Sequence, residues 1–215
     1  MIPTPGLCFD IGAHHGDKSR VFSKIDLDVI AIEPQSSCIP VLKAALKPFP
    51  RAAVLQLAVA QKPGRIKLML CNHTEVSTAS HEFRNQYERY EYLTWSDSEW
   101  VEATTLDELI VRYGKPVFCK IDIEGYELHA LSGLSEAINL IEFEYNILLK
   151  DNAVKCVERL ARLGQYRFNF SAFENFELML DEFLSTDDFI DFLAALPGDV
   201  LTGDIYCRLE EIHVP

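Results

Sequence analysis

The sequence predicts an α/β fold with a doubly wound, mostly parallel seven-stranded sheet and helices on both faces. Short apolar runs, typical of buried strands, alternate along the chain with amphipathic helical segments. Parallel neighbours need a crossover connection, and crossover helices cover both faces of a sheet. The chain has 215 residues, of which 48% are hydrophobic, so we expect one domain over residues 1–215.

The first 70 residues repeat a strand-helix pattern. The predicted elements are strands at 7–11, 29–33 and 53–59 and helices at 17–25 and 36–46. Ser36 or Ser37 is expected to cap the second helix. Pro63-Gly64 then turns the chain into 65–70, which we expect to add an antiparallel strand. Residues 71–100 are polar and aromatic, and this composition predicts a long loop or lid.

The strand-helix alternation resumes after residue 100. Thr105 and Glu108 have the spacing of a capping box and open a helix that Gly114 can end. The remaining predicted elements are strands at 117–122, 140–145, 166–170 and 204–209 and helices at 125–134, 151–163 and 186–196.

Charge and composition exclude several classes of function. The formal net charge of −13 argues against binding to nucleic acid, which depends on clustered Lys and Arg. No apolar stretch reaches the length of a membrane span, and residues 1–5 do not resemble a signal peptide, so we expect a cytoplasmic protein. The six cysteines are scattered without a C-x-x-C pair, which predicts reduced thiols rather than a zinc knuckle or a redox pair.

A glycine-bracketed turn, Asp10-x-Gly12-x-x-x-Gly16, follows the first predicted strand. Ligands of doubly wound sheets bind at this end of the strands. The turn has one glycine fewer than the dinucleotide fingerprint, and its acid would repel a phosphate but suit an ammonium group. Glu33 ends the second strand about 20 residues later, where such folds place the acid that binds ribose hydroxyls. The implied ligand is a nucleoside with a cationic tail, and S-adenosylmethionine fits. The alternative is that both glycines only serve the turn and that Glu33 is a solvated acid.

Several segments resemble the FkbM family of S-adenosylmethionine-dependent methyltransferases. They are FDIGAHHG at 9–16, IEP at 32–34, TTLD at 104–107, KIDIEGYE at 120–127 and LSG at 131–133. The KIDIEGYE block is the most specific of them. The resemblance implies the class I, Rossmann-like methyltransferase fold. It also implies methylation of a hydroxyl on a natural product, sugar, glycan or lipid precursor, with S-adenosylhomocysteine as the other product.

The resemblance also implies which residues contact the cofactor. Those expected at the methionine end are Asp10, Gly12, Ala13, His14 and Gly16. Glu33 would bind the ribose hydroxyls, and Asp122 would also lie at the cofactor. Those expected beside the adenosine and its base are Pro34, Ser36, Ala58 and Val59.

Two features depart from the family pattern. His14 stands where the family usually has Asn or another small polar residue. The chain also begins only a few residues before the first strand, which leaves no room for the N-terminal helix that often covers the site in class I enzymes. We therefore expect residues 71–100 or a partner subunit to cover the site, and in the second case the protein would be a homodimer.

Methylation of a hydroxyl needs a base or a metal, because an alcohol is a poor nucleophile at neutral pH. Asp122, after the strand at 117–122, is the expected base, with Glu124 two residues later. Lys120 alternates with Asp122 and could pair with it. Asp122, Glu124 and Glu144 also offer the oxygen ligands that Mg²⁺ prefers. His14 is a further candidate for the base, although a histidine in a turn is more often a hydrogen-bonding element.

The sequence therefore predicts an O-methyltransferase that acts on a small-molecule or glycan acceptor. A nicotinamide-dependent oxidoreductase is a weaker alternative, since the turn lacks the middle glycine and carries an acid before it. A non-catalytic scaffold that binds S-adenosylmethionine is the alternative from another class.

Overall fold

The computed structural model describes residues 2–173 and 177–210. The predicted domain also includes residues 1, 174–176 and 211–215, which lie outside the described residues. The strands are β1 (Gly6–Ile11), β2 (Leu27–Ile32), β3 (Ala52–Leu55), β4 (Ala58–Val59), β5 (Gly64–Leu70), β6 (Asp97–Thr104), β7 (Phe118–Ile121), β8 (Leu140–Asn146), β9 (Tyr166–Ala172) and β10 (Thr202–Leu209). The α-helices are α1 (Asp17–Lys24), α2 (Ile39–Leu46), α3 (His81–Tyr87), α4 (Leu106–Tyr113), α5 (Glu127–Ser132), α6 (Lys150–Ala161) and α7 (Thr186–Ala195).

Seven strands form the main sheet in the order β3-β2-β1-β7-β8-β10-β9. The first five of these strands are parallel to one another. β10 is antiparallel to both of its neighbours, β8 and β9. The predicted mostly parallel seven-stranded sheet is therefore confirmed, and the strand order reverses between β1 and β7.

Helices cover both faces of this sheet, as the sequence predicts. The apolar faces of α4, α5, α6 and α7 pack on one side, in a core that includes Phe9, Ile121 and Phe143. The helices α1 and α2 pack on the other side, around Phe22 and Leu42. None of the helices in the described parts of the chain is long and apolar enough to cross a membrane.

The predicted strand at 53–59 is wrong as one element, because the chain changes sheets within it. β3 pairs with β2 in the main sheet, whereas β4 pairs with β6 in a second sheet of order β4-β6-β5. The antiparallel strand predicted at 65–70 is present as β5, but it pairs with β6 rather than with the main sheet.

The irregular structure predicted for residues 71–100 is also only partly correct. Ser80 caps α3 by accepting a hydrogen bond from the N–H of Phe83, and β6 begins at Asp97. The apolar residues that β6 buries are Val101 and Ala103, whereas most of its other residues are polar. The composition of this segment therefore did not indicate a strand. Whether the segment acts as a lid stays a prediction.

Helix ends follow the predicted capping signals in one case and not in another. Thr105 and Glu108 form the predicted capping box, and Gly114 ends α4. The N-cap of α2 is Cys38 rather than Ser36 or Ser37, and its side chain makes no capping bond. The helix predicted at 125–134 is shorter, because a turn occupies the residues before Glu127.

The turn after β1 touches the turn after β7 through Gly12. The φ angle of Gly12 is +81°, and a Cβ built there would lie 1.7 Å from the backbone oxygen of Asp122. The N–H groups of Gly12 and Ala13 both donate to the carbonyl oxygen of Ile32 at the end of β2. Glycine is required here both for its conformation and for the contact.

Replacing Gly12 with alanine is expected to lower the free energy of unfolding by about 3 kcal/mol or more, because the methyl group overlaps a backbone oxygen at a positive φ. Urea unfolding measures this change. Gly198→Ala is the matched control, since nothing lies within 4 Å of a Cβ there. It should change stability by no more than about 0.5 kcal/mol. Equal effects at the two positions would contradict the proposed contact.

Candidate functional site

A cavity of about 490 Å³ lies at the carboxyl ends of β1, β2 and β7. Its volume falls within the range of about 300–1,000 Å³ that is usual for small-molecule sites. The turns after these three strands form its wall, together with residues 74–79 and β4. It therefore lies where doubly wound sheets bind their ligands.

Glu33 joins two of the turns that line this cavity. Its Oε2 accepts a hydrogen bond from the backbone N–H of His14 at 2.9 Å, and its Oε1 accepts one from the N–H of Gln35 at 2.8 Å. The side chain is buried, and burial raises the pKa of Glu33 to about 6 against the lowering effect of these two bonds. One carboxylate thus holds the turn after β1 against the loop between β2 and α2.

Asp10 lines the cavity, but its carboxylate is enclosed. Oδ2 accepts a hydrogen bond from the hydroxyl of Ser19 on α1, and Oδ1 is shut off from solvent with no hydrogen-bond partner among the described residues. Burial raises the pKa of Asp10, while Lys120 and Ser19 act to lower it. The sequence prediction placed this acid against an ammonium group. In the structure Asp10 is only 1% exposed, so its carboxylate is not free to contact an ammonium group directly.

Lys120 is a buried cation between acids of three adjacent strands. Its Nζ lies 2.7 Å from Oδ2 of Asp122, and the lysine side chain is 4% exposed, compared with 36% for the aspartate. The strand register places Lys120 beside Asp10 on β1 and beside Glu142 on β8. Burial alone would lower the pKa of Lys120, but Asp122, Asp10 and Glu142 raise it above its usual value. The predicted pair is therefore present, and the lysine is charged.

Three carboxylates meet at the end of β7 and β8. One oxygen of each of Asp122, Glu124 and Glu144 lies within 4.8 Å of the others. Burial is the largest cause that raises the pKa of Glu124 and of Glu144, followed by the neighbouring acids. A carboxylate with a raised pKa is a stronger base than one in water. In its ionised form Glu124, which lines the cavity, can therefore accept a proton from a ligand there.

The turn that carries Glu124 is held from both sides. Glu124 has a φ of +54°, which is uncommon outside glycine. Its carbonyl oxygen accepts a hydrogen bond from the hydroxyl of Thr78 at 2.7 Å. Oε1 of the buried Glu127 accepts hydrogen bonds from the N–H groups of Ile123 and Gly125 at 3.2 and 3.0 Å. Glu127 thus stabilises the turn.

His14 occupies the left-handed region of backbone space, with φ of +46°. Histidine is among the residues enriched in that region, so its presence is compatible with the turn. The Nε2 of His14 is 2.8 Å from Oγ1 of Thr74, and its ring stacks on that of His15 with centroids 3.7 Å apart. Burial and the neighbouring His15 lower the pKa of His14. The neutral form of the ring is therefore favoured.

The structure brings most of the predicted site residues to the cavity wall. Those that line it are Asp10, Gly12, Ala13, His14, Glu33, Pro34, Ala58, Val59, Asp122 and Glu124. Three predicted residues do not line it. Gly16 is the N-cap of α1, and a Cβ built there would meet the side chain of Leu42. The N–H of Ser36 donates to Oε1 of Glu99 at 2.8 Å. Glu144 lines a separate small pocket.

Sequence reasoning expected residues 71–100 to cover the site but did not name four residues of the wall. Thr74, Glu75 and Thr78 line the cavity from the segment between β5 and α3, and Tyr126 lines it from the turn before α5. The cluster of Ser and Thr at 74–80 was a signal for a polar wall. Its position depends on the second sheet, which sequence reasoning did not identify.

Comparison with known proteins gives a family and a set of similar structures. The sequence matches the methyltransferase FkbM domain over residues 10–193. A methyltransferase FkbM from Methylobacillus flagellatus KT superposes with a TM-score of 0.59 at 15% identity, over 94% of this chain and 43% of that one. A precorrin-6y C5,15-methyltransferase from Geobacter metallireducens GS-15 superposes with a TM-score of 0.51 at 13% identity, over 95% of this chain and 80% of that one.

These similarities establish the fold. Since the identities are low, the structural matches support the architecture alone, and the predicted class I methyltransferase fold is confirmed. The chain spans less than half of the length of the Methylobacillus protein. No curated protein matches the sequence at a significant level.

Lys120→Met is expected to lower the free energy of unfolding by about 3–5 kcal/mol, because it leaves buried acids without their cation. Urea unfolding at pH 7.5 measures the loss. Lys43→Met on the exposed side of α2 is the control, and it should change stability by no more than about 0.5 kcal/mol. A small effect at Lys120 would show that the acids do not depend on it.

Glu142→Gln is expected to change stability in a pH-dependent way. Burial and Asp204 raise the pKa of Glu142 to about 7, although Lys120 opposes them. The folded protein therefore holds this proton more tightly than the unfolded chain, and stability falls as the pH rises from about 4.5 to about 7. The variant lacks the carboxyl group that causes this fall in stability. The Tm of the variant minus the Tm of the parent should therefore be larger at pH 8 than at pH 4.5. A difference that does not change with pH would contradict the raised pKa.

Proposed function

Because the chain belongs to the FkbM methyltransferase family, we propose that it transfers a methyl group from S-adenosylmethionine to a hydroxyl oxygen of a small-molecule or glycan acceptor. One observation carries this proposal. The cavity brings the Gly12 turn and Glu33 into the same space as Asp122 and Glu124. In this proposal the Gly12 turn and Glu33 bind the adenosyl group, and the proton acceptors Asp122 and Glu124 lie next to them.

The residues on one side of the cavity fit an adenosyl ligand. The two Glu33 oxygens each accept one backbone N–H, and each retains a lone pair for a ribose hydroxyl. The absence of a side chain at Gly12 lets a ligand approach the backbone. Ala58 and Val59 are buried and apolar, and they suit the face of an adenine ring. When bound, S-adenosylmethionine supplies an electrophilic methyl group.

Asp122 and Glu124 act on the acceptor. An alcohol must lose its proton as it becomes a nucleophile, and a positioned carboxylate can take that proton. Lys120 holds Oδ2 of Asp122 at 2.7 Å and so fixes the orientation of the carboxylate. Glu124 is presented to the same cavity by its left-handed turn. In this proposal His14 orients the cofactor side of the site, and Thr74 holds its ring.

We assign the acid cluster to proton transfer rather than to Mg²⁺. Asp122, Glu124 and Glu144 do supply three oxygens close together, as the sequence suggested. Glu144 lines a separate small pocket, so only two of the three carboxylates border the ligand cavity. Adding Mg²⁺ to the binding experiment below tests the alternative.

S-adenosylhomocysteine is expected to bind with one site per chain in isothermal titration calorimetry, with or without Mg²⁺, whereas NAD is not. Glu33→Ala should weaken binding about 10- to 100-fold, since it removes hydrogen bonds to the ribose worth about 1–3 kcal/mol. Glu158→Ala on α6 is the matched control and should bind normally. Asp122→Asn should also bind normally.

Two outcomes would contradict this proposal. Binding of NAD without binding of the adenosyl compound would indicate an oxidoreductase, and a folded protein that binds neither would not be a methyltransferase as described. Transfer of labelled methyl groups to a panel of sugars, polyols and polyketide alcohols then separates an enzyme from a scaffold. The parent should label at least one acceptor, and Asp122→Asn should not.

A further inference from the structure

Two histidines and a cysteine meet at the wall of the cavity. One potential ligand atom of each of His14, His15 and Cys38 lies within 4.8 Å of the others. His14 and His15 line the cavity, while Cys38 is fully buried behind them at the N-terminus of α2. This group shares no residue with the acid cluster on the other side of the cavity.

Backbone contacts bring these distant parts of the chain together. Glu33 holds the N–H of His14 with one oxygen and the N–H of Gln35 with the other. The carbonyl oxygen of Gln35 in turn accepts a hydrogen bond from the N–H of Cys38 at 3.0 Å. These hydrogen bonds therefore hold the backbone of His14 close to the backbone that carries Cys38.

The donor set suits one class of cation. Imidazole nitrogen and thiolate sulfur are ligands of Zn²⁺ and related transition metals, not of Mg²⁺ or Ca²⁺. In a tetrahedral site with metal-sulfur and metal-nitrogen bonds of about 2.3 and 2.0 Å, the ligand atoms would lie about 3.3–3.8 Å apart. Side-chain rotations that close the group by about 1 Å would reach this geometry.

The surroundings fit a site with three protein ligands. The Nε2 of His14 is 2.8 Å from the hydroxyl of Thr74, and a hydrogen bond of this kind orients a ligand histidine. The cavity borders His14 and His15, so a fourth position would be open to water or to a ligand. Three protein ligands with one open position are typical of reactive or exchangeable zinc sites rather than structural ones.

We propose that His14, His15 and Cys38 form a binding site for a Zn²⁺-class cation in the wall of the cavity. The metal binds Sγ of Cys38, whose thiol proton is released to solvent, and one nitrogen of each histidine. No electron is transferred. Since His14 also borders the space assigned to the adenosyl ligand, the metal and that ligand compete. The binding site itself does not depend on the proposed methyltransferase function.

Titration of the intact protein with Co²⁺ tests the site, because cobalt replaces zinc and reports a thiolate ligand by a near-ultraviolet charge-transfer band. The parent protein is expected to develop this band with one Co²⁺ per chain and to lose it when Zn²⁺ is added. Cys38→Ser should abolish the band, and His15→Asn should weaken Co²⁺ binding at least tenfold. Circular dichroism verifies that both variants fold.

Cys71→Ser and His81→Asn are the matched controls, and both should retain the band. Absence of the band in the parent would overturn the proposal, as would its persistence in a folded Cys38→Ser variant. Zn²⁺ is also expected to weaken binding of S-adenosylhomocysteine at least tenfold. If the parent binds Co²⁺ through Cys38 but no adenosyl compound, the metal site stands and the proposed methyltransferase function fails.

Discussion

The pairing of buried Lys120 with the acids around it is the interaction on which the centre of the structure depends. The lysine contacts Asp122 at 2.7 Å and lies beside Asp10 and Glu142 in adjacent strands. Asp10 and Glu142 are buried, whereas Asp122 reaches the cavity. The positive charge of Lys120 therefore partly offsets the acids in the interior of the sheet and orients a carboxylate in the proposed active site. Stability and chemistry are coupled through it, since loss of the charge would affect both.

Glu33 has a comparable role on the other side of the cavity. Its two oxygens connect the turn after β1 to the loop before α2, and this connection sets the positions of His14 and Cys38. The same carboxylate is the group proposed to bind ribose. A burial that raises its pKa to about 6 still leaves it ionised at neutral pH, as that role requires. A structural clamp and a ligand contact are thus combined in one residue.

Most of the main sheet was predictable, because the parallel strands β1, β2, β7 and β8 are apolar runs that are each followed by a helix. The strand β6 was not predictable, since its composition is polar and its buried residues, Val101, Ala103 and Thr104, lie only towards its carboxyl end. Sequence placed Asp10 at the cavity but could not show that its carboxylate is buried and hydrogen-bonded to Ser19. Cysteine spacing likewise suggested no metal site, because Cys38 approaches the histidines only through the fold.

A crystal structure of the complex with S-adenosylhomocysteine tests the proposed site most directly. It is expected to show the ribose hydroxyls hydrogen-bonded to Glu33, the adenine against Ala58 and Val59, and the sulfur on the side of the cavity that carries Asp122. A ligand bound elsewhere, or bound here with its ribose away from Glu33 and its sulfur away from Asp122, would contradict the assignment of this cavity as a methyl-transfer site.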